Sequence, residues 1–149
     1  MAESIHRIVV ATDFEASAGR ALELAADIAQ VCGAELVLVH TCEVPAFAYS
    51  DPLVAGGAYE IVDELKADAE KRLHGLAEGL RPRLGPVKTA AVQGPPAQGV
   101  VDFVRAIAAD LVVVGTHGRK GLPRALLGST AERLVRTSPV PVLVAHAPR

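Results

Sequence analysis

The chain has 149 residues, half of them hydrophobic but only 3% aromatic, and a formal net charge of -2. That length suits one domain covering 1–149, and with no Trp the core must come from Val, Leu, Ile and Ala, a palette that fits helices packed on a buried parallel sheet. The charge balance argues against a nucleic-acid or membrane partner and leaves room for a local basic patch.

The first strand-like run is Arg7–Thr12, RIVVAT. A helical stripe follows, with Ala18, Ala21, Leu22, Ala25, Ile28, Ala29 and Cys32 at one-face spacing. Gly33 stands where a helix C-cap is expected. Glu35–Thr41, ELVLVHT, is the second strand. Pro45–Gly57 has two prolines, two glycines and no clean period, which predicts a mobile loop before the second helix. That helix carries Ile61, Val62, Leu65, Ala69, Leu73 and Leu76 among many charges. Val87–Val92 is the third strand. Val100, Val101, Val104, Ile107 and Ala108 mark the third helix. Asp110–Gly115 is the fourth strand, Ala131, Leu134 and Val135 a short fourth helix, and Pro141–His146 the fifth strand. Strands one, two, four and five are nearly continuous runs of Val, Ile and Leu, the mark of strands covered on both faces. Regular alternation of strand and helix implies right-handed crossovers and a parallel sheet.

Cys32 and Cys42 lie in neither a CxxC pair nor zinc-finger spacing and read as reduced thiols. His40-x-Cys42 could form a metal pair, though packing is the simpler reading. No apolar stretch approaches the roughly 18 residues of a membrane span, and the apolar run near the N-terminus is too short for a secretory leader. The expected location is the cytoplasm.

In an open parallel sheet, ligands bind beyond the carboxyl ends of the strands. Two strand-end loops stand out. The first is Ala11-Thr12-Asp13-Phe14-Glu15. Asp13 could accept from a ribose hydroxyl or hold a phosphate-bound metal through water, and Thr12, Asp13 or Ser17 could equally cap the first helix. The second runs from Gly115 to Thr130. Gly115, Gly118 and Gly128 would let backbone approach a phosphate. Ser129 reads as an N-cap, with Glu132 completing a capping box. The amides of Gly128, Ser129 and Thr130 would then offer an anion site at a positive helix terminus. Arg119, Lys120, Arg124, Arg133 and Arg136 face Glu132 alone over residues 119–136. Lys120 and Arg124 could screen phosphate, and His117 could touch one. The P-loop pattern, GxGxxG after the first strand and the GxSxG elbow are all absent.

The spacing G-x2-G-x9-G-[ST], carried by Gly115, Gly118, Gly128 and Ser129, resembles the nucleotide-binding branch of the universal stress protein family. So do IVVATDFEASAGRALELA, VLVHT, Gly94-Pro95-Pro96-Ala97 and the closing SPVPVLVAH. The resemblance implies a three-layer, doubly wound α/β fold with a five-stranded parallel sheet in the order 3-2-1-4-5. It implies ATP at the ends of strands one and four, with Mg2+ or Mn2+ on the phosphates. Ala11, Thr12, Asp13 and Thr41 would border adenine and ribose, Val114 would add apolar wall, and Gly115 would lie near the ribose. Gly118, Arg119, Gly128, Ser129 and Thr130 would surround the phosphates. Ala11 and Thr41 stand where family members often carry Pro or Val and an aliphatic residue. The resemblance also implies a homodimer through the last strand, with Val142, Leu143 and Val144 at the edge. The leading functional reading is an ATP-binding stress-response regulator. Slow ATP hydrolysis comes second, because only Asp13 and His117 offer themselves as a base. A dimerisation module without nucleotide is the third.

Overall fold

The computed structural model describes residues 4–44, 46, 50, 52–116 and 127–147. Its strands are β1 (Arg7–Ala11), β2 (Glu35–Cys42), β3 (Lys88–Gln93), β4 (Leu111–Gly115) and β5 (Val142–Ala145). Its helices are α1 (Ala16–Cys32), α2 (Pro52–Leu84), α3 (Pro96–Ile107) and α4 (Ser129–Thr137). All strand pairings are parallel, and the order is β3-β2-β1-β4-β5. This is the α/β sheet and the strand order that the resemblance implies.

The two-sided burial of β1 follows from its sequence. Ile8 and Val10 point to one face, where Leu36, Leu38 and Val113 join Ala21, Ala25 and Ala29 of α1 and Leu73, Ala77 and Leu80 of α2. Val9 and Ala11 point to the other, with Val37, Val39, Val112 and Val114 packed on Val100, Val101 and Val104 of α3 and Leu134 of α4. Small alanines on α1 let that helix lie close to the sheet. The outer strands β3 and β5 are less buried, as strands with one neighbour must be.

The helix ends obey local rules. Gly33 takes φ 67° and returns its N–H to Ala29 O, closing α1. Pro96 sits in the first turn of α3, where its missing N–H costs nothing. Ala108, expected inside α3, adopts φ 51° as its cap instead.

The expected loop before the second helix is also overturned. Within Pro45–Gly57, residues 52–57 belong to α2 rather than to a loop, while Pro45, 47–49 and Asp51 lie outside the described residues. Pro at a helix start is preset in φ, and the two glycines cost only about 1 kcal/mol each against Ala. At its other end α2 runs two turns past Leu76, because Ala77 and Leu80 continue the buried stripe. Arg83 on that last turn reaches Glu23 and Asp27 of α1 at 3.1 and 2.6 Å. Among the described residues, no helix is long and apolar enough to cross a membrane.

At the amino ends of the strands, Asp110 Oδ2 accepts the N–H groups of His6 and Arg7, each at 2.8 Å. These two amides, His6 first, hold the Asp110 carboxyl below its ordinary value of 3.8. Its folded pKa is the lower one, so its stabilising charge is complete above 3.8 and fades as pH falls through the folded value. Asp110→Asn should therefore melt below the parent chain at neutral pH. Calorimetry across acid pH should show that gap closing below pH 3.8. A gap that stays constant into strong acid would contradict the assignment.

Candidate functional site

The strand order reverses between β1 and β4, and a cleft of about 600 Å3 opens beyond their carboxyl ends. It forms because β1 stops early. Thr12 still donates its N–H to Val39 O at 2.9 Å, and then the chain turns away. Phe14 N–H donates to Thr12 Oγ1 at 3.0 Å, and Glu15 N–H to Asp13 Oδ1 at 2.9 Å. Phe14 itself takes φ 66°, an uncommon conformation for a bulky residue. Glu15 then leads into α1 without a side-chain cap. Thr12 and Asp13 thus shape the turn one step before the helix, and neither they nor Ser17 is its N-cap.

Backbone bonding on β2 follows the parallel alternation. Val39 O faces β1, since it accepts from Thr12; Cys42 O faces β3, since it accepts from Gly94 N–H at 3.2 Å. The N–H and C=O of Thr41 therefore face the β1 side. There β1 has already left, because the β1–β2 register ends at Ala11↔Val39. Thr12 O, the acceptor that another rung would give to Thr41 N–H, receives His40 Nδ1 at 2.7 Å. The Thr41 peptide edge is left to the cleft. The Thr41 side chain lies beside Gly99 of α3, where an added Cβ would stand 2.6 Å from Thr41 Cγ2.

The opposite wall is the start of α4. Gly128 precedes the helix with φ -63° and ψ 157°, and no side chain caps it. The expected capping box is absent: Ser129 is the first helical residue, and Glu132 pairs with Arg136 at 2.9 Å. The Gly128 amide is also committed, donating to Thr116 O at 2.5 Å. The amides without an intrahelical acceptor are those of Ser129, Thr130 and Ala131, and all three residues line the cleft.

Of the residues expected at the site, Ala11, Thr12, Asp13, Thr41, Val114, Gly115, Gly128, Ser129 and Thr130 line this one cleft. Gly118 and Arg119 lie outside the described residues, as do His117, Lys120 and Arg124. The cleft also contains Ser17, His40, Glu43, Val100 and Thr116, which the sequence reading left without a role in ligand binding. Strand alternation assigns the Thr41 peptide edge to the cleft, whereas no spacing in the sequence links His40 to Thr12 O.

Two features change the chemistry expected here. The His40–Cys42 pair is engaged otherwise, with His40 bonded to Thr12 O and burial pushing the Cys42 thiol above its ordinary pKa. A protonated, buried thiol is a poor metal ligand. Gly115 also has a packing reason to be glycine. A Cβ there would stand 2.5 Å from Ser17 Oγ, and 2.6 and 2.8 Å from the Ser17 backbone C and O. The start of α1 presses on the end of β4.

A family model described as the universal stress protein family matches residues 4–146. A universal stress protein of Methanocaldococcus jannaschii is 34% identical over 149 residues, covering 96% of this chain and 83% of that protein. Among solved structures, the universal stress protein UspA from Lactobacillus plantarum superposes with a TM-score of 0.85 at 25% identity, over 97% of this chain and 99% of that one. A universal stress protein in complex with cAMP superposes with a TM-score of 0.65 at 25% identity, over 98% and 100%.

The Ser17 contact can be tested directly. Gly115→Ala should lower the unfolding free energy in urea by about 1–3 kcal/mol, the usual cost of overpacking. Adding Ser17→Ala should not restore it, because the backbone atoms stay in the way. Full recovery in the double variant would show that only the hydroxyl mattered.

Proposed function

The chain belongs to the universal stress protein family, and we propose that it is a nucleotide-binding regulator of the stress response that holds ATP or a related adenine nucleotide in the cleft between β1 and β4. One observation carries this reading. A free peptide edge at Thr41 and the open amides of α4 line the same cleft of about 600 Å3. Adenine presents a ring acceptor beside an amino donor, which matches the N–H and C=O of one extended residue. A phosphate chain matches a helix start, where amides and the helix dipole both favour an anion.

The other residues take their places around that ligand. Ala11, Val39, Val100 and Val114 supply apolar wall for a base. Asp13, at the exposed turn after β1, would accept from ribose hydroxyls. Ser129 and Thr130 would hold phosphate oxygens with their amides and hydroxyls, and Gly118 and Arg119 are the further phosphate contacts of this reading. Among the described residues no group of three or more His, Cys, Asp or Glu could hold a metal alone. A Mg2+ or Mn2+ ion would ride on the phosphates, with Asp13 reaching it through water. The structure of a family member with cAMP supports an adenine nucleotide as the ligand class. On this reading the protein works in the cytoplasm by binding rather than by turnover.

The test is to denature the purified protein and resolve the supernatant by anion exchange. Adenine nucleotide should co-elute, and added Mg-ATP should raise the melting temperature of stripped protein. A clean supernatant with no thermal shift would overturn the proposal. Gly128→Val should abolish the shift while the chain stays folded, because φ -63° and ψ 157° suit any residue and the branched side chain would stand where phosphate oxygens approach.

We further propose a homodimer through β5. Pro141 O and Ala145 O accept from β4 and its extension, so the N–H and C=O of Val142 and Val144 face outward at the sheet edge. Leu143, between them, bonds inward to β4. A twofold mate would pair with that open edge. Val144→Pro removes an outward N–H and leaves the β4 ladder intact. Light scattering after gel filtration should show a dimer for the parent chain and a monomer for the variant; equal masses would exclude pairing through β5.

A further inference from the structure

Two backbone groups and one side chain meet at the point where β1 leaves β2. Thr12 O can accept one more ladder bond, Thr41 N–H can supply it, and His40 Nδ1 is the group that does so, at 2.7 Å. A carbonyl only accepts, so Nδ1 carries the hydrogen. The ring is held in that orientation from outside the cleft. Phe14 packs on it with centroids 4.7 Å apart and a tilt of 35°. The Arg72 guanidinium of α2 sits 4.1 Å from the centre of the Phe14 ring. His40 alternates with Thr41 along β2, so the imidazole reaches the carbonyl from the opposite face of the sheet, and both residues line the cleft.

We propose that His40 is a positioning residue: by bonding Thr12 O it holds that carbonyl turned away from the next rung, so the β1–β2 ladder ends there and the Thr41 N–H and C=O stay available to the ligand. Phe14, through its φ of 66° and its stack on the imidazole, is the second half of the device. Without the imidazole, a peptide N–H and a peptide C=O on adjacent strands satisfy each other. The rung closes, and the donor that the base needs is consumed. The effect on ligand binding rests on the nucleotide reading above; the effect on the backbone does not.

The variants are His40→Leu, which removes the donor, and His40→Asn, whose side-chain amide places an N–H near the position of Nδ1. Amide hydrogen exchange at Thr41 is followed in ligand-free protein. Exchange should be fast in the parent chain and in His40→Asn, and slowed about tenfold or more in His40→Leu, as a new backbone hydrogen bond requires. Affinities for ATP and for inorganic tripolyphosphate are measured alongside. His40→Leu should lose about tenfold or more in ATP affinity, the worth of one or two hydrogen bonds, with tripolyphosphate binding unchanged and ATP binding regained in His40→Asn. Equal Thr41 exchange in all three proteins would overturn the proposal. So would a parent chain that binds ATP alongside a His40→Leu variant that binds it as well. If the parent chain binds no ATP, the nucleotide reading falls, and Thr41 exchange decides the positioning role by itself.

Discussion

Every buried peptide group needs a partner, and the site described here exists where the sheet stops providing them. β1 sits at the centre of the sheet and is paired with both β2 and β4 over Ile8–Ala11. At Thr12 it leaves the sheet through a turn that satisfies its own amides with Thr12 Oγ1 and Asp13 Oδ1. The neighbouring strand continues, so its inward peptide edge has no mate. Helix α4 starts on the far side of the gap with its first amides also uncommitted. Two incomplete hydrogen-bonding systems therefore border one cleft.

The apolar core sets the accuracy of that arrangement. Two clusters, one on each face of the sheet, lock the strands in register. The close contact between Gly115 and Ser17 fixes where α1 begins relative to the end of β4. Surface ion pairs such as Arg83 with Asp27 add little on their own. Their position matters more, since they tie the far end of the long α2 helix to α1.

The architecture was legible because its signals are periodic and redundant. Runs such as IVV, LVLV and LVVV can hardly be anything but buried strands, and small residues at helical spacing mark α1. The ends of elements were harder to read. Pro52 looked like a breaker and is a helix starter; Ser129 and Glu132 looked like a cap and are a first-turn residue and an ion-pair partner. Both errors share a cause, since a residue at a helix boundary serves either side and only tertiary packing decides which. At the site, nine expected residues do meet in the cleft. Two reasons assigned to them change: Gly115 is small for Ser17, and the Gly128 amide already belongs to Thr116. His40 escaped notice as a ligand-site residue because its contribution is geometric, and no spacing rule connects a side chain on one strand to a carbonyl 28 positions earlier.

Thr116 makes two backbone bonds of different kinds. Its N–H goes to Ala145 O at the end of β5, and its C=O takes the Gly128 N–H ahead of α4. One peptide unit on either side of a single buried residue therefore links the start of α4 to the outermost strand. The crevice and the edge of the sheet thus share one buried residue, Thr116.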